Sequence, residues 1–283
     1  MLMATLKEIS SLFTDDAFLG KVVVYLESEE DVQIVGERWF FDAGETVVFK
    51  SADEGQGGGS TAVLSKVEAA RNKGIYAFGV IDRDILMQQH DWNQWWETDD
   101  KKFQDIQPFG TWIHILLCWE IENYLLNPEV LEQVMADREG RSLRKLDTLF
   151  GCLFESAKSV QLISAASILA HKVGYKLAKD FGMKQIGNDL GLALSKHLKK
   201  KGVDQADSQL QGVYASIEAF VQNNDGNKNK WQSMIRMLDG KRMLSHLNLS
   251  DQRYNLASRI RQLDCVPSEW KSFVTDVSKG YNI

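Results

Sequence analysis

The sequence predicts an α/β protein: a parallel four-stranded sheet flanked by helices, followed by a mostly helical second half. Three observations predict it. Apolar runs at 22–26, 75–81 and 113–119 have the length and the Val, Ile and aromatic content of buried strands. Helical spacing of apolar residues fills the stretches before and between the first two. After Pro128 the strand signals fade and amphipathic patterns continue to residue 247.

Taken in order, residues 2–19 place Leu2, Leu6, Ile9, Leu12 and Phe13 at helical spacing. Residues 22–26 read as the first strand. Residues 29–40 read as a helix with Val32, Val35 and Trp39 on one face. Residues 46–49 make a short second strand, and a glycine-rich loop runs from Asp53 to Ser60. Ser60 is a suitable N-cap for a helix through Arg71, which Asn72 to Gly74 stops before the strand at 75–81. This βαβαβ order implies parallel strands joined by right-handed crossovers.

Residues 85–110 interrupt the pattern. They are polar, carry Trp92, Trp95 and Trp96, and end in Pro108 and Gly110, which reads as an insertion or lid with an exposed tryptophan cluster. Residues 111–119 form the fourth strand, and Asn127-Pro128 supplies a cap and a first-turn proline. Helices are expected over 129–138, 142–182, 185–200, 204–223 and 228–247. The expected division is an α/β domain at 1–127, with 85–110 as an insertion, and a helical domain at 128–283.

Among the 283 residues, 44% are hydrophobic and 25% charged, as in ordinary globular proteins. No apolar stretch approaches the ~20 residues of a membrane span, and the N-terminal residues do not read as a secretory signal. Cys118, Cys152 and Cys265 are an odd number, widely spaced and without CxxC, which argues against disulfides and zinc. A cytoplasmic location is expected, with no membrane partner. The net charge of −6 hides an asymmetry: residues 1–149 carry a net −13 and residues 150–283 a net +7. An acidic metal site beside a phosphate-binding surface would give this pattern, as would a lysine-rich helical region that is merely well solvated.

Each apolar run ends in carboxylates: Glu27 and Asp31, then Asp82 and Asp84, then Glu120 and Glu122. Parallel strands place their C-terminal ends at one sheet edge, where open α/β sheets bind ligands. Carboxylates crowded there repel unless cations sit among them, and hard oxygen ligands select Mg²⁺ or Mn²⁺. Asp31 lies one helical turn after Glu27 if the helix starts near Ser28. In an extended chain Asp82 and Asp84 point one way and Arg83 the other, and Glu120 and Glu122 share that spacing. Two ions ~3.5–4 Å apart are the arrangement that clamps attacking and leaving oxygens in phosphoryl transfer.

Other signals are weaker. The glycine loop lacks the lysine of GxxxxGK[ST], which excludes an autonomous NTPase; it fits a phosphate cradle or a plain turn equally. His90, His114, His171, His197 and His246 show no ligand spacing, and His114 reads as a packed strand residue. Lys196, Lys199, Lys200 and Lys201 form the densest basic run, usually a solvated helix end favoured by the macrodipole and in a minority of cases a phosphate-backbone contact.

Leu26-Glu27-Ser28-Glu29-Glu30-Asp31 resembles the strand-E-G-x-x-D opening of Toprim domains, and Val80-Ile81-Asp82-Arg83-Asp84 resembles their DxD. Trp119-Glu120-Ile121-Glu122-Asn123-Tyr124-Leu125-Leu126 is similar to the E-x-E-N-Y-L segment of bacterial Toprim proteins related to the OLD nucleases. Within that group the size and helical second half are similar to the nuclease effectors of PARIS anti-phage systems. Ser28 departs from the pattern, standing where glycine is usual.

The resemblance implies a Toprim-like fold and a divalent-metal-dependent endonuclease using two Mg²⁺ or Mn²⁺ ions. It makes Glu27, Asp31, Asp82 and Asp84 metal ligands, with Glu122 serving the second ion and Glu120 a further candidate. Glu27, Asp82 and Asp84 would carry the catalysis, joined by a lysine near the scissile phosphate; Lys241 in Gly240-Lys241-Arg242 is the candidate. It further implies a nucleic-acid substrate (RNA such as tRNA, or DNA), an ABC-type ATPase partner, and a role as toxic effector in defence. A homodimer is compatible with it. The competing readings are a non-catalytic regulatory subunit docked on an ATPase, and another DxD enzyme, a nucleotide-sugar transferase or a phosphatase. A haloacid-dehalogenase phosphatase would carry its DxD after the first strand.

Overall fold

The computed structural model describes residues 20–53, 58–178, 181, 189–222 and 225–279. The helix expected at 2–19, residues 54–57 of the glycine loop, and the helix ends expected at 182 and 185–188 lie outside the described residues. In chain order the first elements are β1 (Val22–Leu26), α1 (Glu29–Ile34), β2 (Val47–Ser51), α2 (Ser60–Asn72), β3 (Ala77–Ile81), α3 (Asp84–Gln88), α4 (Trp92–Trp95), α5 (Asp100–Asp105) and β4 (Ile113–Ile115). Then come α6 (Pro128–Glu139), α7 (Leu146–Lys172), α8 (Asp189–Lys200), α9 (Ala206–Gln222), α10 (Asn227–Met237), α11 (Gly240–His246), α12 (Arg253–Gln262) and α13 (Ser268–Lys279). The chain separates into two compact units. The first comprises Met1–Ile81, Gln107–Ile115 and Ile260–Ile283; the second comprises Asp82–Ile106 and Leu116–Arg259. The boundary expected at 127/128 falls inside the second unit.

The first unit contains the sheet, in the order β2-β1-β3-β4, every pair parallel. β1 lies between β2 and β3, with Val24 opposite Phe49 and Phe78. Val22, Val23, Val24 and Leu26 are all buried, as a strand covered on both faces requires. α2 packs on β1 and β3, and α13 touches β2. Gly79 sits where α2 crosses β3: an added Cβ would stand 2.5 Å from Val63 Cγ1 and 3.0 Å from Val67 Cγ2 and Ile113 Cδ1.

The helix expected over 29–40 is α-helical only to Ile34. It widens into a π turn at Val35–Trp39, closed by the Phe40 N–H on the Val35 carbonyl (2.9 Å). The turn seats Trp39 against Trp270 of α13, edge to face at 6.0 Å. Ser60 is the first helical residue of α2 rather than its cap. Gly59 caps that helix, with φ of 98° that favours glycine.

The second unit is helical and built round α7, whose 27 residues touch α3, α6, α8, α9, α10 and α11. Small residues from Ser164 to Ala170 let neighbours approach closely. Asn127 caps α6 through the N–H groups of Glu129 and Val130, and Pro128 opens the helix, both as expected. The helix expected over 228–247 breaks into α10 and α11 at Leu238, whose backbone is extended, before Asp239 caps α11. α12 and α13 were not anticipated from the sequence.

Two further expectations are corrected. The fourth strand stops at Ile115 instead of 119, because the following backbone groups bond elsewhere in the second unit. The Leu117 carbonyl accepts from Arg83 (2.6 Å), the Cys118 N–H donates to the Tyr124 hydroxyl (3.2 Å), and the Trp119 N–H to the Arg236 carbonyl (3.1 Å). The tryptophans of 85–110 do not form an exposed cluster. Trp95 is fully buried, edge to face with Trp119 at 5.2 Å, and Trp92 and Trp96 are half-buried. The cause is Arg83: its buried guanidinium donates to the carbonyls of Trp95 (2.5 Å) and Glu97 (3.2 Å) and lies 4.2 Å from the Phe103 ring centre. A buried charge needs acceptors, and the 92–97 turn supplies backbone carbonyls to it. Among the described residues, no helix is long and apolar enough to cross a membrane.

Candidate functional site

Glu27 and Asp31 belong to the first unit, at the C-terminal end of β1. Ser28 caps α1 in a reciprocal capping box: its Oγ accepts the Asp31 N–H (3.2 Å), and Asp31 Oδ2 accepts the Ser28 N–H (2.9 Å). The Ser28 backbone N–H thus holds the Asp31 carboxylate, and the Ser28 hydroxyl holds the start of α1. Gly58 presses on Glu27, and Gly59 lies beside it. A Cβ at 58 would stand 2.4 Å from the Glu27 carbonyl oxygen, and one at 59 would stand 3.8 Å from Glu27 Oε2. The end of the glycine loop therefore packs on the residue that follows β1, and only glycine permits that approach.

Asp82, Asp84, Glu120, Glu122 and Lys241 all belong to the second unit. Neither acid pair has the extended geometry read from its spacing. Arg83 is helical (φ −62°, ψ −21°) and Asp84 opens α3. Glu120 is the N-cap of a 3₁₀ turn at Ile121–Leu125, with Asn123 Oδ1 accepting its N–H at 2.9 Å. Asn123 Nδ2 in turn donates to the carbonyls of Ile235 (2.6 Å) and Leu238 (2.9 Å), which seats this turn against the α10–α11 corner.

Gly240 makes the seating possible. A Cβ there would lie 2.8 Å from both the backbone nitrogen and Oδ1 of Asn123. The close approach lets the Lys241 N–H donate to Glu120 Oε1 at 2.7 Å. The Lys241 ammonium stands 2.9 Å from Glu120 Oε2 and 3.4 Å from Glu122 Oε2. Arg253 reaches Glu122 Oε1 from the other side at 3.4 Å.

The electrostatics follow from this crowding. Burial by itself would lower the Lys241 pKa, but Glu120, Glu122 and Asp82 outweigh it and hold the lysine above its ordinary value. Burial pushes the Asp84 carboxyl up to about 6, with nearby Glu120 acting the same way against Lys176 and Lys241. Burial also raises Asp239 to about 6, again with Glu120 acting upward, although Asp239 accepts from the Arg242 N–H (2.9 Å) and Nε (2.8 Å). Four carboxylates named from the sequence thus act on one lysine or on each other within the second unit.

The donors suit a hard divalent cation: all are carboxylate oxygens, and the pocket of charge already attracts an ammonium. They are not spaced for one. Among the described residues, no group of three or more His, Cys, Asp or Glu is placed to hold a metal ion.

The remaining candidates have partners of their own. In the first unit, His114 bonds Glu269 at 2.8 Å, a packed strand residue as expected. Lys196, Lys199 and Lys200 are exposed at the end of α8, and the Lys201 ammonium lies 4.3 Å from the Tyr175 ring centre. Sequence reasoning missed Asp239, Arg242 and Arg253. Asp239 had a local signal, an acid three residues before Arg242 at a helix start. Arg253 had none, since it meets Glu122 across 131 positions. The chain matches no family model, no curated protein and no solved structure.

Proposed function

We propose that this chain is a divalent-metal-dependent endonuclease of the Toprim type, hydrolysing phosphodiester bonds in RNA such as tRNA, or in DNA. In this reading it is the toxic effector of an anti-phage system and works beside an ABC-type ATPase. The observation that carries the proposal is the convergence of Asp82, Asp84, Glu120 and Glu122 around Lys241. These are the acids that the DxD and E-x-E-N-Y-L resemblances select, and the lysine is the one that Gly-Lys selects. A phosphatase of the haloacid-dehalogenase type is disfavoured, since Asp82 directly follows β3.

Within the second unit the proposal assigns Asp82, Asp84, Glu120 and Glu122 as ligands for Mg²⁺ or Mn²⁺; Glu27 and Asp31 are metal ligands on the strength of the strand-E-x-x-x-D resemblance. Bound there, the two ions would supply a nucleophilic water at neutral pH and charge stabilisation for the leaving oxygen. The chain's own residues hold the carboxylates in place: the Ser28 capping box orients Asp31, Arg83 anchors the turn between Asp82 and Asp84, and Asn123 fixes Glu120. Lys241 carries the positive charge that a substrate phosphate would meet.

Expression of the wild type and of Glu27→Ala, with sequencing of total RNA and inspection of genomic DNA, tests the reading. Cleavage is expected in the wild type alone, and with purified protein only when Mg²⁺ or Mn²⁺ is supplied. Cleavage at an unchanged rate in Glu27→Ala removes the proposal.

A further inference from the structure

Lys241 is placed as a counter-ion, and three features of its placement decide what it does. Its ammonium takes the position between Glu120 and Glu122, 2.9 Å and 3.4 Å from their Oε2 atoms. Those are ammonium spacings; a divalent cation of the Mg²⁺ class needs oxygens at about 2.1 Å. The lysine side chain is 48% exposed, whereas those of Glu120 and Glu122 are 10% and 2% exposed. The acids are fixed and the cation can swing into solvent. Finally, the lysine backbone is tied separately, its N–H donating to Glu120 Oε1 at 2.7 Å, so departure of the ammonium leaves α11 where it is.

We infer that Lys241 is a displaceable resident cation: its ammonium holds Glu120 and Glu122 in the metal-free protein and must leave before a divalent ion can take those oxygens. This rests on the metal-nuclease reading and adds to it a built-in competition. Two acids buried this deeply need a positive partner beside them. An ammonium provides one without committing the site to chemistry. Metal entry then exchanges one cation for another, and the freed ammonium becomes available to a phosphate. The Arg253 contact with Glu122 Oε1 persists through the exchange, since it approaches from the other oxygen.

Mn²⁺ binding to the purified full chain, followed by titration calorimetry and by the loss of the free-Mn²⁺ electron paramagnetic resonance signal, tests this without relying on cleavage. Lys241→Met removes the competitor and keeps the length and apolar stem of the side chain. It is expected to bind Mn²⁺ at least tenfold more tightly than the wild type. Its metal-free melting temperature should fall, and Mn²⁺ should raise it by more than in the wild type. Lys241→Arg keeps the charge and should restore weak, wild-type binding. Equal Mn²⁺ affinity in the wild type and Lys241→Met, or weaker affinity in Lys241→Met, overturns the inference and leaves the nuclease reading standing. No Mn²⁺ binding to wild type, Lys241→Met or Lys241→Arg overturns both. If Lys241→Met does not fold, the ratio between wild type and Lys241→Arg decides: an arginine that lowers Mn²⁺ affinity no further than the wild type supports the competition, and one that raises it tenfold refutes it.

Discussion

Asp84 and Asp239 make the second unit sensitive to pH between about 4 and 6. Burial and the neighbouring Glu120 lift both carboxyls to about 6, from an ordinary value of 3.8. Between those values the folded, metal-free protein keeps protons that the unfolded chain has released, so these groups make stability fall as the pH rises from about 4 to 6. A divalent ion reverses the balance, because its ligands must be ionised. Mn²⁺ affinity should therefore drop below pH 6, by up to about tenfold per pH unit for each proton displaced. Calorimetry at pH 5, 6 and 7 checks this, with Asp84→Asn as the control whose pH slope should be shallower. An affinity flat across that range would show that neither carboxyl responds to the ion. At this scale the sequence was informative wherever a residue ends a strong local pattern. Asp82, Asp84, Glu120 and Glu122 follow apolar runs, and Lys241 follows a glycine. Arg253 was invisible, because its partner Glu122 lies in a distant segment and no periodicity links them.

Strands and helices were legible where burial is two-sided and continuous. β1 falls at the residues expected, since a parallel strand covered on both faces must be apolar throughout. β4 was overread because 116–119 is equally apolar but spends its hydrogen bonds on Arg83, Tyr124 and Arg236. An apolar run reports burial and not the partner of its backbone. α12 went unnoticed for the opposite reason, being rich in arginine and polar residues. The packing of α2 on β3 gives a direct test at this level. Gly79→Ala would drive a methyl group to 2.5 Å from Val63 Cγ1 and 3.0 Å from Val67 Cγ2. Both neighbours are buried β-branched side chains with little rotamer freedom, so the helix must move away from the strand. A loss of about 1–3 kcal/mol is expected for such overpacking, measured by chemical denaturation. An unchanged midpoint would mean that α2 rides more loosely on the sheet than the Cβ distances indicate.

Over the whole chain, the charge distribution bears on what the protein can bind. Net −13 over residues 1–149 and net +7 over residues 150–283 put the carboxylates of the DxD and E-x-E-N-Y-L segments in the acidic half, and Lys241 and Arg253 in the basic one. An acidic stretch repels a polyanion unless metal neutralises it, so on the nuclease proposal the attraction for nucleic acid would come from the lysines and arginines of the second half. Such attraction works through release of counter-ions, and each phosphate neutralised adds about 0.9 to the slope of log affinity against log salt on a duplex. Three or four contacts would weaken binding roughly 40- to 150-fold between 50 and 200 mM salt. Measured by fluorescence anisotropy with Ca²⁺ in place of Mg²⁺, the slope should shrink by about 1 when a contacting lysine is removed. Lys199→Gln and Lys200→Gln, on the exposed end of α8, are the first to try. A slope unchanged by both would mean that this run only solvates its helix and that the phosphates are met elsewhere in the basic half. Binding with no salt dependence would separate the charge asymmetry from nucleic acid altogether and leave the acidic cluster to be explained by metal alone.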